Sequence, residues 1–200
     1  MPDFGENALN WSETLSVQKQ RVHVVVVRIR GLGEADAVAL GGSFGGTWPL
    51  SPNTIQQNVC CLGPREWCIL DVEPAVVAAR MSQSIQAATF HVADLSAGCS
   101  LWRINGRRAS DLLARGCSLD TSQPRFPPGR CARTLFARVA AVLLRRTGES
   151  GFELITDASL DQHMQSWFRA VGALCSDELH DAPAVRAAAA TGAATQSVGA

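Results

Sequence analysis

The amino-acid sequence predicts an α+β domain in which helices pack on one face of mostly antiparallel sheets. Short β-branched or alternating runs are interspersed with amphipathic helical segments, the pattern of a mixed layer architecture. Tight turns at Gly63–Glu66 and Thr147–Gly151 join neighbouring strand-like runs, and such hairpins require antiparallel partners. A chain of 200 residues with 46% hydrophobic content can bury its own core. We therefore expect one domain over residues 21–172, with room for two lobes.

The first third of the chain is predicted to contain one strand and one hairpin. Residues Met1–Gln20 begin with a polar, acidic stretch and are expected to form a mobile or partner-dependent arm. Val22–Ile29 is a β-branched run bounded by charges, which predicts a strand. Gly31–Asn58 contains a glycine run and is expected to be a loop. Val59–Leu62 and Trp67–Val72 flank a Gly-Pro turn and predict a hairpin.

A helix is predicted to follow this hairpin. Pro74 stands where the first helical residue is expected, since proline is favoured at that position. Val77, Met81, Ile85 and Ala88 then recur at helical spacing, which predicts an amphipathic helix of about three turns.

The next segment is predicted to contain two strands and a short helix. His91–Leu95 and Leu101–Asn105 are the strands, and the second alternates apolar with polar residues. Arg107–Arg115 is the helix, with Leu-Leu on its apolar face. Thr121–Gly129 is expected to be irregular because its three prolines lack amide donors.

The last third is predicted to contain a long strand, a second strand and a helix. Ala132–Leu144 has two largely apolar faces, so we expect one long strand that is covered on both sides. Phe152–Thr156 is the following strand. Ser159–Val171 carries apolar residues at helical spacing. Residues 173–200 are rich in alanine and glycine and are expected to form a disordered tail.

Cysteine and histidine usage argues against a metal site. The seven cysteines have irregular spacing without a Cys-x-x-Cys motif, and the four histidines are scattered. Free, buried cysteines suit a reducing, cytoplasmic compartment. No apolar stretch is long enough to predict a membrane helix, and the polar N-terminus is unlike a signal peptide.

The charges are balanced overall but unevenly distributed. The chain has 18 basic residues (lysine plus arginine) and 18 acidic residues (aspartate plus glutamate). The segment from Arg103 to Arg146, however, contains ten arginines and only two acids, Asp111 and Asp120. A nucleic-acid-binding module is one interpretation of this segment. The neutral overall charge and the lack of interleaved aromatic residues favour a protein without a nucleic-acid partner.

No catalytic or cofactor motif is complete. Gly31-Leu32-Gly33-Glu34-Ala35-Asp36 has aspartate where a dinucleotide loop needs its third glycine. Asp94 and Asp111 could serve as catalytic acids, but a strand end and a helix surface are the ordinary explanations for them. We therefore assign no catalytic, cofactor-binding or metal-binding residue.

Four segments, in order, resemble the gamma subunits of heterotetrameric sarcosine oxidase. Leu62–Trp67 is similar to their Leu-Gly-Pro-x-Glu-Trp turn, and Asp94–Ser96 to their Asp-Leu-Ser strand end. Asp111–Asp120 resembles their Leu-Leu-x-x-Gly-Cys-x-Leu-Asp segment. Phe126–Leu135 matches their Phe-x-x-Gly-x-Cys-x-x-Thr-Leu block.

The resemblance implies a fold related to the folate-binding domain of the glycine-cleavage T protein. It also implies a complex with alpha, beta and delta subunits that oxidatively demethylates sarcosine to glycine and transfers the one-carbon unit to tetrahydrofolate. FAD, FMN, NAD, tetrahydrofolate and zinc would then be bound by the other subunits, and this chain would be non-catalytic.

Two alternative functions remain open. The chain could be the equivalent subunit of an N-methylglutamate dehydrogenase or another N-methyl amino acid demethylase, since the substrate would be bound elsewhere. It could also be a stand-alone folate-binding protein resembling an aminomethyltransferase, for which Asp94 and Arg103 are the only candidate acid and carboxylate clamp.

One segment is predicted to be a subunit interface. Phe126, Pro127, Pro128, Gly129 and Arg130 combine an aromatic and an arginine with a stiff proline pair. Aromatic and arginine side chains are common interface hot spots, and stiffness reduces the entropy lost on docking. The competing interpretation is a rigid crossover that sets the register of the next strand.

Overall fold

A computed structural model describes residues 8–12, 14–148 and 151–176. In these residues the chain forms one eleven-stranded sheet and four α-helices. The strands are β1 (Ala8–Ser12), β2 (Leu15–Gln20), β3 (Val24–Arg30), β4 (Thr54–Gln56), β5 (Val59–Gly63), β6 (Glu66–Leu70), β7 (Thr89–Asp94), β8 (Cys99–Asn105), β9 (Arg130–Phe136), β10 (Val139–Arg145) and β11 (Phe152–Asp157). The helices are α1 (Glu34–Ser43), α2 (Pro74–Ser84), α3 (Ala109–Gly116) and α4 (Asp161–Ser176).

The sheet is antiparallel at every pairing of the described strands, in the order β1-β2-β8-β11-β10-β9-β4-β5-β6-β3-β7. Its first six strands form one half and its last five the other. The two halves meet where Thr54 of β4 pairs with Arg130 of β9. None of the helices in the described part is long and apolar enough to cross a membrane.

The sheet curls so that the inner faces of its two halves meet. Val24 and Leu70 from one half share an apolar cluster with Leu101, Leu144 and Ile155 from the other. Strands β3 and β8 lie far apart in the strand order, so only a curled sheet brings these residues together. The inner core therefore needs no helix to cover it.

The helices cover the outer face of each half. Neighbouring residues such as Trp102 and Leu154 point outwards and pack with Leu112 of α3 and with Met164 and Phe168 of α4. On the other half, Val27 and Trp67 pack against Leu40 of α1 and against Val77 and Met81 of α2. The predicted α+β class, with helices on one face of a mostly antiparallel sheet, is confirmed.

The N-terminal segment does not form the arm predicted for Met1–Gln20. Strand β2 pairs with β8 along Ser16–Gln20, and β1 pairs with β2. Leu15 and Val17 are fully buried in the outer core beside α4. Apolar residues at every second position are the pattern of a half-buried strand. Here only two apolar residues alternate with polar ones, so the pattern is weak in the sequence. Residues 1–7 of the predicted arm lie outside the described residues.

The predicted loop over Gly31–Asn58 contains helix α1 and strand β4. Alanine and leucine in Glu34–Leu40 favour helix more strongly than the later glycines oppose it. Gly41 is required by packing, because a Cβ there would lie 2.6 Å from the carbonyl oxygen of Gly46. The loop prediction was therefore wrong for these two elements.

The predicted long strand Ala132–Leu144 is a hairpin of β9 and β10. Ala137 and Arg138 form its turn with φ of 50° and 69°. This left-handed geometry is typical of tight hairpin turns but is usually supplied by glycine or asparagine. The sequence therefore lacks the customary turn signal, and the two apolar faces belong to two paired strands.

The other predicted elements are present, with small shifts in their bounds. The hairpin at Gly63–Glu66, the helix from Pro74 and the strands around Val92 and Trp102 agree with the sequence. Helix α4 extends to Ser176, so Ala173–Ser176 belong to it and not to the predicted tail. The remainder of that tail, residues 177–200, lies outside the described residues.

Arg146 connects the two halves of the sheet. Its guanidinium donates to Glu153 Oε2 at 2.7 Å, Asn58 Oδ1 at 2.8 Å and Asp71 Oδ2 at 2.9 Å. Burial alone would lower its pKa, but the hydrogen bond and charge of Glu153 and the charge of Asp71 raise the pKa above its usual value. The side chain is 8% exposed and that of Glu153 is 4% exposed, so a permanent ion pair is enclosed here.

We expect Arg146→Ala to lower the free energy of unfolding by about 3–5 kcal/mol, because it leaves the buried Glu153 carboxylate without its shorter, buried ion pair. Urea unfolding measures this change. The control Arg108→Ala removes an exposed partner of Asp111 and is expected to cost less than about 1 kcal/mol. Equal losses for the two variants would contradict the importance of the buried pair.

Cysteines supply much of the inner core. Cys60 on β5 faces Cys68 on β6, and Cys131 lies beside them in the same cluster. All seven cysteines are free. Burial raises the pKa of Cys60 well above its usual value and that of Cys68 to about 12. The native state therefore retains thiol protons that the unfolded chain loses near pH 9.

We expect the free energy of unfolding to fall as pH rises from about 9 towards about 12, by up to about 1.4 kcal/mol per pH unit for each such thiol. With no tyrosine and one lysine in the chain, thiols dominate the titration in that window, and burial also raises the pKa of Cys61, Cys99 and Cys175. Cys68→Ala should reduce the slope in urea unfolding measured at several pH values. Val77→Ala, in the outer core away from the thiol cluster, should lower stability at every pH without changing the slope; identical slopes for wild type and Cys68→Ala would contradict the linkage.

Candidate functional site

Asp94 and Arg103, the candidate acid and clamp, are each held by a structural partner. The Asp94 carboxylate accepts hydrogen bonds from the hydroxyl and the amide of Ser96, and these lower its pKa. The Ser96 hydroxyl in turn accepts from the amide of Val24 at 3.1 Å. Arg103 Nε donates to Glu153 at 3.0 Å. The Asp-Leu-Ser motif therefore fastens the β7–β8 connection to β3.

Asp111 lies on the surface of α3. Its carboxylate accepts from Arg108 at 2.8 Å, one helical turn earlier, and both side chains are exposed. An (i, i+3) pair of this kind supports the helix.

The Leu-Gly-Pro-x-Glu-Trp turn builds part of the core. Trp67 Nε1 donates to the carbonyl of Pro49 at 2.7 Å, and its ring lies 5.6 Å from that of Trp48. Glu66 accepts from Arg28 at 3.3 Å and also binds Arg133 on β9. This motif thus ties strands of the two halves together.

The glycine of the Gly-Cys segment permits a close contact. A Cβ on Gly116 would lie 2.4 Å from the ring of Phe136. The Gly116 carbonyl also accepts from the amide of Ala137 at 2.8 Å, which holds the β9–β10 turn against α3.

The Phe126–Arg130 segment crosses from the irregular region into β9. Phe126 is 4% exposed and packs in the outer core, and its carbonyl accepts from Arg145 at 2.9 Å. Gly129, with φ of 88°, donates to the carbonyl of Arg145 at 2.7 Å and accepts from Ile55 at 2.9 Å. These bonds join β4, β9 and β10.

Phe126 is predicted as the aromatic residue of the subunit interface, but its ring is enclosed by this chain and is not accessible to a partner. Pro128 is exposed, and Pro127, Gly129 and Arg130 are half-buried. The segment itself stays a predicted interface, with these four residues forming its accessible part.

A polar hollow of about 670 Å³ lies beside the β7–β8 connection and is lined by Lys19, His23, Asp71, Ser96 and Asp161 among others. Both carboxylates already have cationic partners: Asp161 pairs with Lys19, and Asp71 with Arg146. No group of three or more potential metal ligands converges within the described ranges. The geometry thus places structural ion pairs around the hollow.

Comparison with known proteins shows several similar chains. The model of the sarcosine oxidase gamma subunit family matches residues 37–174. Sarcosine oxidase subunit gamma of Corynebacterium sp. (strain U-96) is 27% identical over 146 residues, 72% of this chain and 66% of that protein. The same subunit of Corynebacterium sp. (strain P-1) is 31% identical over 109 residues, 54% of this chain and 53% of that protein. The aligned chain thus spans less than two thirds of the length of these two relatives.

The fold is also found in a solved structure. A chain of heterotetrameric sarcosine oxidase from Corynebacterium sp. U-96, solved in complex with pyrrole 2-carboxylate, superposes with a TM-score of 0.71 at 23% identity. The superposition covers 82% of this chain and 86% of that chain. Because the family model matches more than half of the sequence, this chain belongs to the sarcosine oxidase gamma subunit family.

Proposed function

We propose that this chain is the non-catalytic gamma subunit of a heterotetrameric sarcosine oxidase-type complex, with alpha, beta and delta subunits as partners. The observation that carries the proposal is the family match over residues 37–174. The complex would oxidatively demethylate sarcosine to glycine and transfer the one-carbon unit to tetrahydrofolate. FAD, FMN, NAD, tetrahydrofolate and zinc would be bound by the other subunits, in the cytoplasm.

The arrangement of the carboxylates supports a structural role. Glu153 and Asp71 hold Arg146, and Asp161 holds Lys19. Asp94 caps the turn at Ser96. A general base must be free to accept a proton from the substrate, and these acids are already engaged in holding strands and helices together.

Exposed apolar side chains support assembly with partners. Val38 on α1 is 71% exposed and Leu50 is 60% exposed, and both line one hollow of about 590 Å³ with Leu32 and Trp48. Apolar patches of this kind commonly mark protein interfaces. The accessible part of Phe126–Arg130 would form a second contact region.

We expect a tagged form of this chain, co-expressed with its partner subunits, to co-purify with them and with flavin absorbance. After denaturing separation, covalently held FMN should remain with a larger subunit, non-covalent flavin should be released, and this chain should be colourless. Absorbance spectra of the separated chains measure this. Flavin that stays with this chain, or a chain that purifies alone in the presence of all partners, would contradict the proposal.

The Phe126–Arg130 segment can be tested by separating folding from association. We expect Phe126→Ala to lower the free energy of unfolding of this chain by about 3–5 kcal/mol, because it opens a cavity in the outer core. Arg130→Ala should instead weaken subunit association by about 2 kcal/mol, as an interface hot spot does.

Thermal unfolding of the free chain and titration of the folded chain with its partners distinguish the two effects. Pro124→Ala, at an exposed position of the preceding irregular region, is the matched control for association. Unchanged affinity for Arg130→Ala would exclude this segment as an interface.

A further inference from the structure

Strand β7 forms one edge of the sheet. Its inner side pairs with β3 from Thr89 to Asp94, and no strand in the described part of the chain pairs with its outer side. Leu95 donates to the carbonyl of Val24 on β3. Because backbone groups alternate in direction along an antiparallel strand, the N–H and C=O groups of Phe90 and Val92 point away from β3.

The two faces of this edge differ in chemistry. Phe90 and Val92 are half-buried and extend the outer core beneath α2. The other face of β7 carries His91 and Thr89. In the register with β3, His91 is the cross-strand partner of Arg28, and Thr89 is the partner of Arg30. An added strand would therefore have one apolar and one charged face.

The charged face is strongly basic. A hollow of about 620 Å³ is lined by Arg28, Arg30, Arg65, Glu66 and His91, together with Ile29, Pro64 and Phe90. Glu66 is the one acid in the described lining, and it already binds Arg28 and Arg133. Arg30 and Arg65 have no described acidic partner. We call the three lining arginines Arg28, Arg30 and Arg65, together with Arg133, which binds Glu66 from β9, the arginine rim.

The arginine rim is held in place by the fold. The Arg65 carbonyl accepts from the amide of Ile29 at 3.1 Å, so the β5–β6 turn stays beside β3. The exposed side chains of Arg28, Arg30 and Arg65 thus line one hollow with residues Thr89, Phe90 and His91 of β7. Planar forked donors in such an arrangement suit carboxylates.

We propose that β7 binds an extended segment of a partner subunit, in which acidic residues alternate with apolar residues, as a twelfth strand. The acidic side chains would face the arginine rim, the apolar side chains would pack beside Phe90 and Val92, and the backbone would bond to the outward groups of the same two residues. Addition of a strand to an exposed edge is a common mode of peptide recognition. The origin of the segment in a partner subunit rests on the proposed function. The binding surface at β7 is inferred from the structure alone.

The edge and the charge favour a protein segment over a nucleic acid. A nucleic-acid strand would use the arginines but not the outward amides and carbonyls of β7. Exposed aromatic side chains for base stacking are also absent from the described lining of this hollow, where Phe90 is half-buried.

Two measurements on the co-expressed complex test the proposal. Hydrogen exchange is expected to slow at the Phe90 and Val92 amides when the partner subunits are present. The double variant Arg28→Glu/Arg30→Glu is expected to weaken association about tenfold or more at low salt, with a smaller effect at high salt. The matched control Arg107→Glu/Arg125→Glu makes the same charge change at exposed positions elsewhere and should change affinity less than about twofold.

The proposal would be overturned if the Phe90 and Val92 amides exchanged as fast in the complex as in the free chain. It would also be overturned if the rim and control variants lost equal affinity for the partner subunits. Protection of these amides by self-association of the isolated chain would also overturn it, since the occupant would then be a second copy.

A peptide of alternating glutamate and valine separates this proposal from the assignment of subunit function. We expect it to bind the free chain and to protect the Phe90 and Val92 amides, whereas a peptide of alternating lysine and valine should not bind. If no complex forms but the acidic peptide binds in this way, the strand-binding surface at β7 is supported and the proposed subunit function is contradicted. Tighter binding of single-stranded RNA than of the acidic peptide, lost in the rim variant, would overturn the proposal.

Discussion

The curled sheet brings two inner faces together, and a buried guanidinium joins them at one end. Arg146 follows β10 in one half and reaches Asn58 and Asp71 in the other, while Glu153 holds it from β11. This buried cation is tolerated because each of the three guanidinium nitrogens donates to an acceptor. Beyond this polar cluster the inner core is apolar and rich in cysteine. The halves can therefore meet without helices between them, and all four described helices pack outside.

The motifs shared with the gamma subunit family lie at the joints of this architecture. Ser96 bridges Asp94 to β3, Glu66 reaches Arg133 across the two halves, and Gly129 joins β4 to β10. Gly116 lets the Phe136 ring approach α3. Motifs made of such residues specify how elements meet. They identify the family and the fold strongly, but they say little about catalytic residues.

Elements with a local signal could be predicted from the sequence, and elements fixed by tertiary contacts could not. The hairpin at Gly63–Glu66 has its own turn residues, and α2 has its own periodicity and its proline start. By contrast, β2 is stabilised by pairing with β8, and the Ala137–Arg138 turn adopts positive φ because its flanking strands pair in register. The burial of Phe126 likewise depends on elements distant in sequence, so its residue type suggested an interface hot spot where packing encloses the ring.

The charge distribution shows the same difference between sequence and space. The ten arginines between Arg103 and Arg146 form a basic run in sequence, yet the fold disperses them. Arg103 and Arg146 share Glu153, and Arg145 stacks 5.0 Å from the ring centre of Phe152. Of the arginine rim, only Arg133 comes from that run; Arg28, Arg30 and Arg65 come from the half of the sheet where the sequence is less basic. A surplus of charge on a surface depends on which acids the fold has already paired. In the described lining of the hollow beside β7, the one acid, Glu66, binds Arg28 and Arg133, while Arg30 and Arg65 have no described acidic partner.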